Sequence, residues 1–223
     1  EAIRLQPDYA AAFSSRGNAY GAKGEYDRAI EDYDAAIRLR PDYADAFNNR
    51  GNAYNAKGDH DRAIRDLDEA IRLQPDLAIA YFNRGNAYGA KGEYARAIAD
   101  FDSAITLKPD HAGAHVKRGD AYQLLGDFDR AIADYDVALR LKSDSAEAFL
   151  GRAHAYGQKR DYDRAIPDFD EAIRLKPTLV EAFLNRGETY RRMGEWDRAI
   201  QDFNEAVRLD PNLALSYNNR ALA

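Results

Sequence analysis

Ala29, Tyr33, Ala36 and Ile37 fall at i, i+4, i+7 and i+8 among charged neighbours, a spacing that draws one apolar stripe down a helix. The stripe returns every 34 residues, and prolines keep the same interval at 7, 41, 75, 109, 177 and 211, with Ser143 in the remaining slot. Another helical pattern occupies the first half of each period and runs to a glycine near its fifteenth residue. The spacing therefore predicts six helix pairs, in units 10–43, 44–77, 78–111, 112–145, 146–179 and 180–213, with partial units at 1–9 and 214–223. All belong to a single domain over 1–223.

Asp8, Asp42, Asp76, Asp110, Asp144, Thr178 and Asn212 precede the first helices and are expected to cap them, because a short oxygen-bearing side chain accepts from the free amides of a helix start. Between the two helices stand Gly24, Gly58, Gly92, Gly126 and Gly194, where a left-handed turn suits a residue without a Cβ, and Arg160 fills the equivalent slot of the fifth unit. One helix pair cannot bury its stripe alone, so neighbouring pairs must stack on a shared core.

Phe13, Gly17, Tyr20, Ala29, Tyr33, Ala36 and Pro41 appear in fixed order in the first unit and recur with few exceptions in the others. In this period and order the chain resembles the tetratricopeptide repeat family over essentially its whole length, and its N-R-G form of the motif is similar to that of bacterial members. The resemblance implies an all-α, right-handed superhelical solenoid of antiparallel helix-turn-helix hairpins, whose first helices line a concave surface where ligands lie.

The family usually places leucine before the first glycine of a unit, but here that slot holds Arg16, Arg50, Arg84, Arg118, Arg152, Arg186 and Arg220. Asp32, Asp66, Asp100, Asp134, Asp168 and Asp202 recur in the second helices. An arginine this near a core is costly without a hydrogen-bonded partner, so the two series are expected to pair between helices. Units four and five depart further: Ser143 replaces proline, Ala153 and Arg160 replace glycine, and Pro167 enters a second helix. Pro167 is expected near the first turn, where its missing amide costs little. Departures that gather in this way point to a hinge or a specialised site.

Composition narrows the function. The 223 residues include no cysteine, which excludes disulfide and thiol chemistry, and 32 Lys and Arg against 38 Asp and Glu give a net charge of -6. No basic field draws nucleic acid or anionic lipid, the aromatics recur at core slots rather than on a stacking platform, and no apolar run reaches the roughly 20 residues of a membrane span. The chain reads as soluble, with cytoplasmic placement favoured and neither nucleic acid nor membrane as partner. It opens at Glu1 inside a half-finished unit, as expected of a piece of a longer protein.

Catalytic spacing is absent. The run from Gly17 to Gly24 has the wrong interval for a phosphate loop and lacks Ser or Thr after its lysine. His111 and His115 have the i, i+4 spacing of two metal ligands but no third, and His115 takes the slot filled elsewhere by Phe13, Phe47, Tyr81, Phe149, Phe183 and Tyr217. No enzyme activity, metal or cofactor is expected.

The inward slots of the first helices hold the candidate binding residues. Asn18, Asn52 and Asn86 give way to Asp120, His154 and Glu188, and a neighbouring slot reads Ser15, Asn49, Asn83, Lys117, Gly151 and Asn185. The slot beside that changes from Ser14 and Asn48 to Phe82, Val116, Leu150 and Leu184. Asparagines offer a donor and an acceptor to a peptide backbone, the apolar residues form side-chain pockets, and Lys117, Arg191 and Arg192 suit an acidic group. The family's subclass that grips a chaperone's C-terminal carboxylate is matched only in part: Asn52, Asn83 and Lys117 agree, whereas Asn48 and Gly113 stand where lysines are required. The function expected is a non-catalytic protein–protein interaction scaffold that binds an extended peptide or a partner helix in the concave groove. Two alternatives are a homo-oligomer stacked end to end through Ile3, Leu5, Leu215, Tyr217 and Leu222, and the targeting arm of a larger enzyme.

Overall fold

The computed structural model describes residues 9–211, and every regular element among them is an α-helix. The helices run in pairs: α1 (Ala10–Ala22) with α2 (Tyr26–Leu39), α3 (Ala44–Ala56) with α4 (His60–Leu73), α5 (Ala78–Ala90) with α6 (Tyr94–Leu107), α7 (Ala112–Leu124) with α8 (Phe128–Leu141), α9 (Ala146–Gln158) with α10 (Tyr162–Leu175), and α11 (Val180–Met193) with α12 (Trp196–Leu209). Two compact units divide between Lys117 and Arg118, inside α7. Within each unit the architecture is an all-α repeat solenoid: the helices of a pair pack together, and the first helix of the next pair seats on both of them, as α3 does on α1 and α2 and α11 does on α9 and α10.

Small residues set how closely the helices approach. Ala29, Ala36, Ala63, Ala70, Ala97 and Ala104 have no exposed surface, and the larger Tyr33, Leu67 and Phe101 of the same stripes are buried against the first helix of their pair. A Cβ on Gly85 would lie 2.6 Å from the Phe101 ring, and Gly17, Gly51, Gly119 and Gly187 meet Tyr33, Leu67, Tyr135 and Phe203 in the same way. Ala153 takes this slot in α9 and is buried in one cluster with Phe169.

The arginine series lies where these pairs meet. Arg84 donates from Nε to Asp100 Oδ2 at 2.8 Å and from Nη2 to Asp100 Oδ1 at 2.7 Å, a two-pronged clamp between α5 and α6. Its third nitrogen, Nη1, donates to Asp68 on α4 at 2.6 Å and so reaches back to the preceding pair. Arg50 holds Asp66 and Asp34 in this way, Arg152 holds Asp168 and Asp136, and Arg186 holds Asp202 and Asp170. Arg16 and Arg118 clamp Asp32 and Asp134. The guanidinium of Arg84 also lies 5.6 Å from the Tyr81 ring, and Arg50, Arg152 and Arg186 stack likewise on Phe47, Phe149 and Phe183. The pairing inferred from the sequence is thus present, together with a second aspartate on Arg50, Arg84, Arg152 and Arg186 that the inference did not include.

Two expectations are corrected. The aspartates before the first helices do not cap them with their side chains, because each helix begins one residue later: Tyr9, Tyr43, Leu77 and Leu179 hold the cap position and offer no accepting side chain. Asp42, Asp76 and Asp110 act through their carbonyl oxygens, which accept from Ala44, Ala78 and Ala112 in turns opened by proline. Side-chain caps on first helices come instead from Ser145 Oγ, which accepts from Ala148 N–H at 3.2 Å, and from His111 Nδ1, which accepts from Ala114 N–H at 3.2 Å. Asp8 and Asn212 lie outside the described residues. The second correction concerns Pro167, which is the sixth residue of α10 rather than part of its first turn. An amide at that depth has a helical acceptor, the Asp163 carbonyl, so the proline forfeits a bond.

The turn glycines adopt the left-handed backbone foreseen for them, with φ of 75° at Gly24, and Arg160 adopts it as well with φ of 60°. For a residue with a side chain that conformation costs roughly 1–2 kcal/mol.

Replacing Pro167 by alanine, the residue found at the equivalent positions 99 and 133 of earlier repeats, is expected to raise stability by about 2 kcal/mol, the regained hydrogen bond outweighing the freer unfolded chain. Urea unfolding measures the difference, and an unchanged midpoint would show that α10 had already absorbed the proline.

Candidate functional site

The inward slots of the first helices are occupied differently in the two units. In the first unit the asparagines bond mainly to one another. Asn83 Nδ2 donates to Asn48 Oδ1, Asn48 Nδ2 to Asn49 Oδ1, and Asn49 Nδ2 to Asn18 Oδ1, each at 3.0 Å. The run crosses α5, α3 and α1 and ends on an oxygen that also accepts from the Tyr33 hydroxyl at 2.8 Å. Asn55 Nδ2 adds a bond to the Asn83 carbonyl at 2.9 Å. Burial of Asn48 and Asn83 explains this arrangement, because an amide without water needs a protein partner.

Asn52 and Asn86 stand apart from this run. Their side chains make no hydrogen bond among the described residues, and Asn52 is exposed while Asn86 is half-buried. Both therefore keep a donor pair and an acceptor available at the same slot of α3 and α5. Phe82 faces Phe101 at 5.9 Å and His111 at 4.7 Å between ring centres, so most of its surface is already used in packing. Val116 is buried, and Lys117 is exposed.

In the second unit Leu150 packs against the Ala153, Tyr156 and Phe169 cluster, and Leu184 is half-buried. His154 Nε2 lies 3.1 Å from the Gln158 amide nitrogen. Arg191 is committed to Glu188 through Nε and Nη2, both at 2.7 Å, and Arg192 binds the same carboxylate at 2.9 Å. These hydrogen bonds, Arg191 first, hold the Glu188 carboxyl below the usual range, so neither arginine is idle before a ligand arrives.

A pairing between the two helices of a hairpin was missed in the sequence. The Tyr135 hydroxyl donates to Asp120 at 2.9 Å, in the same geometry as Tyr33 to Asn18. Where the second helix carries Leu67, Phe101, Phe169 or Phe203, no hydroxyl is present to be satisfied, and the facing slot is filled by Asn52, Asn86, His154 or Glu188. The signal was legible as a tyrosine 15 residues after its acceptor. Burial, with the Asp32 charge adding to it, pushes the Tyr33 hydroxyl up to about 12. Tyr135 is enclosed between Gly119 and Gly151, whose added Cβ atoms would fall 2.9 Å and 2.5 Å from its ring, which accounts for glycine at position 151.

No group of three or more metal-ligating side chains stands together among the described residues, and no described helix is long and apolar enough to cross a membrane. His111 is engaged as a helix cap and stacks on Phe82, while His115 is buried. Ile3, Leu5, Leu215, Tyr217 and Leu222, the residues of the end-to-end reading, lie outside the described residues.

Burial depresses the basicity of His111, with Lys108 adding to it, and of His154, which also faces Glu181 and Arg192. A base held below its unfolded value contributes stability that is in place above about pH 6.5 and is lost as pH falls toward the depressed value. Stability from urea unfolding is expected to decline between about pH 7 and 5, and to decline less in a His111→Asn/His154→Asn variant that keeps the cap acceptor without titrating. Equal slopes would contradict the assignment.

Family models agree with this architecture. A TPR repeat model matches residues 17–58 and 51–92, and a tetratricopeptide repeat model matches residues 82–146 and 150–214. No curated protein sequence matches the chain. Among solved structures, YrrB, described as a TPR protein with an unusual peptide-binding site, is similar at 23% identity and TM-score 0.67, covering 85% of this chain and 99% of its own. MamA is similar at 25% identity and TM-score 0.66, with 74% of this chain and 96% of its own covered. PilF of Pseudomonas aeruginosa shares the fold at 18% identity and TM-score 0.82, with 95% and 97% covered. With period, helix pairing and turn geometry in agreement and the family models spanning nearly all of the described residues, the chain belongs to the tetratricopeptide repeat family.

Proposed function

We propose that this chain is a non-catalytic interaction scaffold that takes an extended peptide, or a partner helix, along the inward face of its first helices. The observation that carries the reading is the division of labour among the asparagines. Asn18, Asn48, Asn49 and Asn83 satisfy one another, which leaves Asn52 and Asn86 as matched donor–acceptor groups one repeat apart. Two such groups can bond alternate peptide units of an extended chain without demanding particular side chains. Membership of a repeat family built for protein contacts supports the reading, as does the peptide-binding site described for YrrB. Phe82, Val116, Leu150 and Leu184 contribute chiefly to the scaffold in this view, with Phe82, Leu150 and Leu184 each keeping a partly open edge for a ligand side chain. Lys117 supplies a positive charge, and the Arg191–Glu188 pair can open toward a competing carboxylate.

The test is selection of displayed random peptides on the wild-type chain, followed by affinity measurement on Asn52→Ala/Asn86→Ala. Loss of two amide partners is expected to weaken selected peptides about tenfold or more while the melting temperature holds. Unchanged affinity would overturn the groove assignment. Asn49→Ala serves as the contrast, since it breaks the internal run and is expected to act on stability.

A further inference from the structure

The turns between paired helices supply an internal control, because the chain repeats them with little change. Three consecutive turns read Ala-Lys-Gly, at 22–24, 56–58 and 90–92. The fourth reads Leu124-Leu125-Gly126, and the fifth reads Gln158-Lys159-Arg160. Leu124 is 62% exposed and Leu125 is 55% exposed, so neither leucine is explained by the core. Arg160 is exposed, forms no ion pair with a carboxylate among the described residues, and holds a left-handed backbone that glycine holds in the other turns. Strain of that kind persists where something beyond packing maintains it.

The fourth and fifth turns meet where Leu125 and Lys159, the chain neighbours of Leu124 and Arg160, line one cleft. A cleft of about 330 Å³ is lined by Leu125, Phe128, Asp129 and Lys159 with the turn residues Gly126 and Asp127. Its counterpart in the first unit is lined by Lys57, Gly58, Asp59, His60, Asp61 and Lys91, all polar apart from the glycine. Leu125 and Phe128 stand in the second cleft where Lys57 and His60 stand in the first, so two charged or polar lining residues give way to apolar ones. Across from them Lys159 pairs with Asp129, whose side chain is 82% exposed, so the ammonium is held only by a weak surface bridge that another carboxylate can replace. Asp127 is held by Arg130 and Asp161 by Arg164, whereas Arg160, the residue after Lys159, has no carboxylate partner among the described residues.

We propose that the edge formed by the fourth and fifth turns is a docking site for a segment of another protein that presents a bulky apolar side chain next to a carboxylate. The apolar side chain rests on Leu125 and Phe128 in the cleft and on the exposed Leu124 next in the chain, and the carboxylate is met by Lys159 and the adjoining Arg160. This surface lies at the turns, apart from the Asn52 and Asn86 slots, and the proposal stands whether or not the groove binds peptide.

The chain's own repeat supplies the variant. Leu124→Ala/Leu125→Lys/Arg160→Gly restores Ala-Lys and the turn glycine used by the first three hairpins, and Arg160→Gly alone is expected to raise the melting temperature by relieving strain. A random-peptide display library is selected on wild type and on this variant, and the enriched peptides are titrated by fluorescence anisotropy against both and against Asn52→Ala/Asn86→Ala. The expected result is a set of acidic–apolar peptides that bind wild type and the asparagine variant alike and lose about tenfold or more on the restored turns. Enrichment that does not depend on the three turn residues, basic peptides as the dependent set, or no enrichment at all would overturn the proposal. Peptides sensitive only to Asn52 and Asn86 would do the same while supporting the groove.

Discussion

A guanidinium that holds two carboxylates at once is the interaction on which the stack depends. Among the described residues each arginine of the series clamps an aspartate in its own hairpin with two parallel bonds, and Arg50, Arg84, Arg152 and Arg186 donate a third bond to the hairpin before. The geometry belongs to arginine alone, since lysine has no planar fork and leucine, usual in this family, has no donor. Asp100 is only 5% exposed, so an unpaired carboxylate there would be strongly unfavourable, and the cheapest arrangement is the one register in which each such buried aspartate meets its arginine. The clamp therefore acts more on specificity than on net stability. Apolar burial favours stacking, and the charges decide how the stack is aligned.

A second set of ties lies at the turn end. Lys57 reaches Asp27, Lys91 reaches Asp61 and Lys159 reaches Asp129, each from one hairpin to the one before. The carboxylates are largely exposed and the lysines partly so, so each tie is worth little alone and is easily exchanged for a bond to a ligand. Adjacent hairpins are thus aligned by a partly buried clamp near the middle of the helices and only weakly tethered at the turns. Function separates along the same line: buried amides are committed to one another, while the open amides and the exposed turn cations are left to partners.

Period, helix pairing and turn glycines were legible because they rest on local rules repeated six times. The Arg84–Asp100 pair was legible for the same reason, as two series that made no sense unless joined. The second aspartate was missed although Asp32 and Asp34 recur as a doublet, because its role depends on the distance between hairpins, which no single unit states. The caps failed on a shift of one residue: Asp42 sits in a proline turn that closes on its own backbone, and helix starts one residue apart cannot be told from composition. Pro167 failed similarly. In the candidate site the asparagines were found by type, but which of them face one another and which face outward follows from burial of Asn48 and Asn83, a property of stacked neighbours.

The account rests on one guanidinium joining two hairpins, and double-mutant cycles on Arg84 with Asp100 and with Asp68 address it most directly. Urea unfolding of the single and double alanine variants is predicted to give a coupling of about 2 kcal/mol for Arg84 with Asp100, and a smaller coupling below about 1 kcal/mol for Arg84 with Asp68, whose side chain is 52% exposed. Additivity within about 0.5 kcal/mol in both cycles would contradict it, leaving the arginines as solvated bystanders of a stack aligned by apolar packing alone.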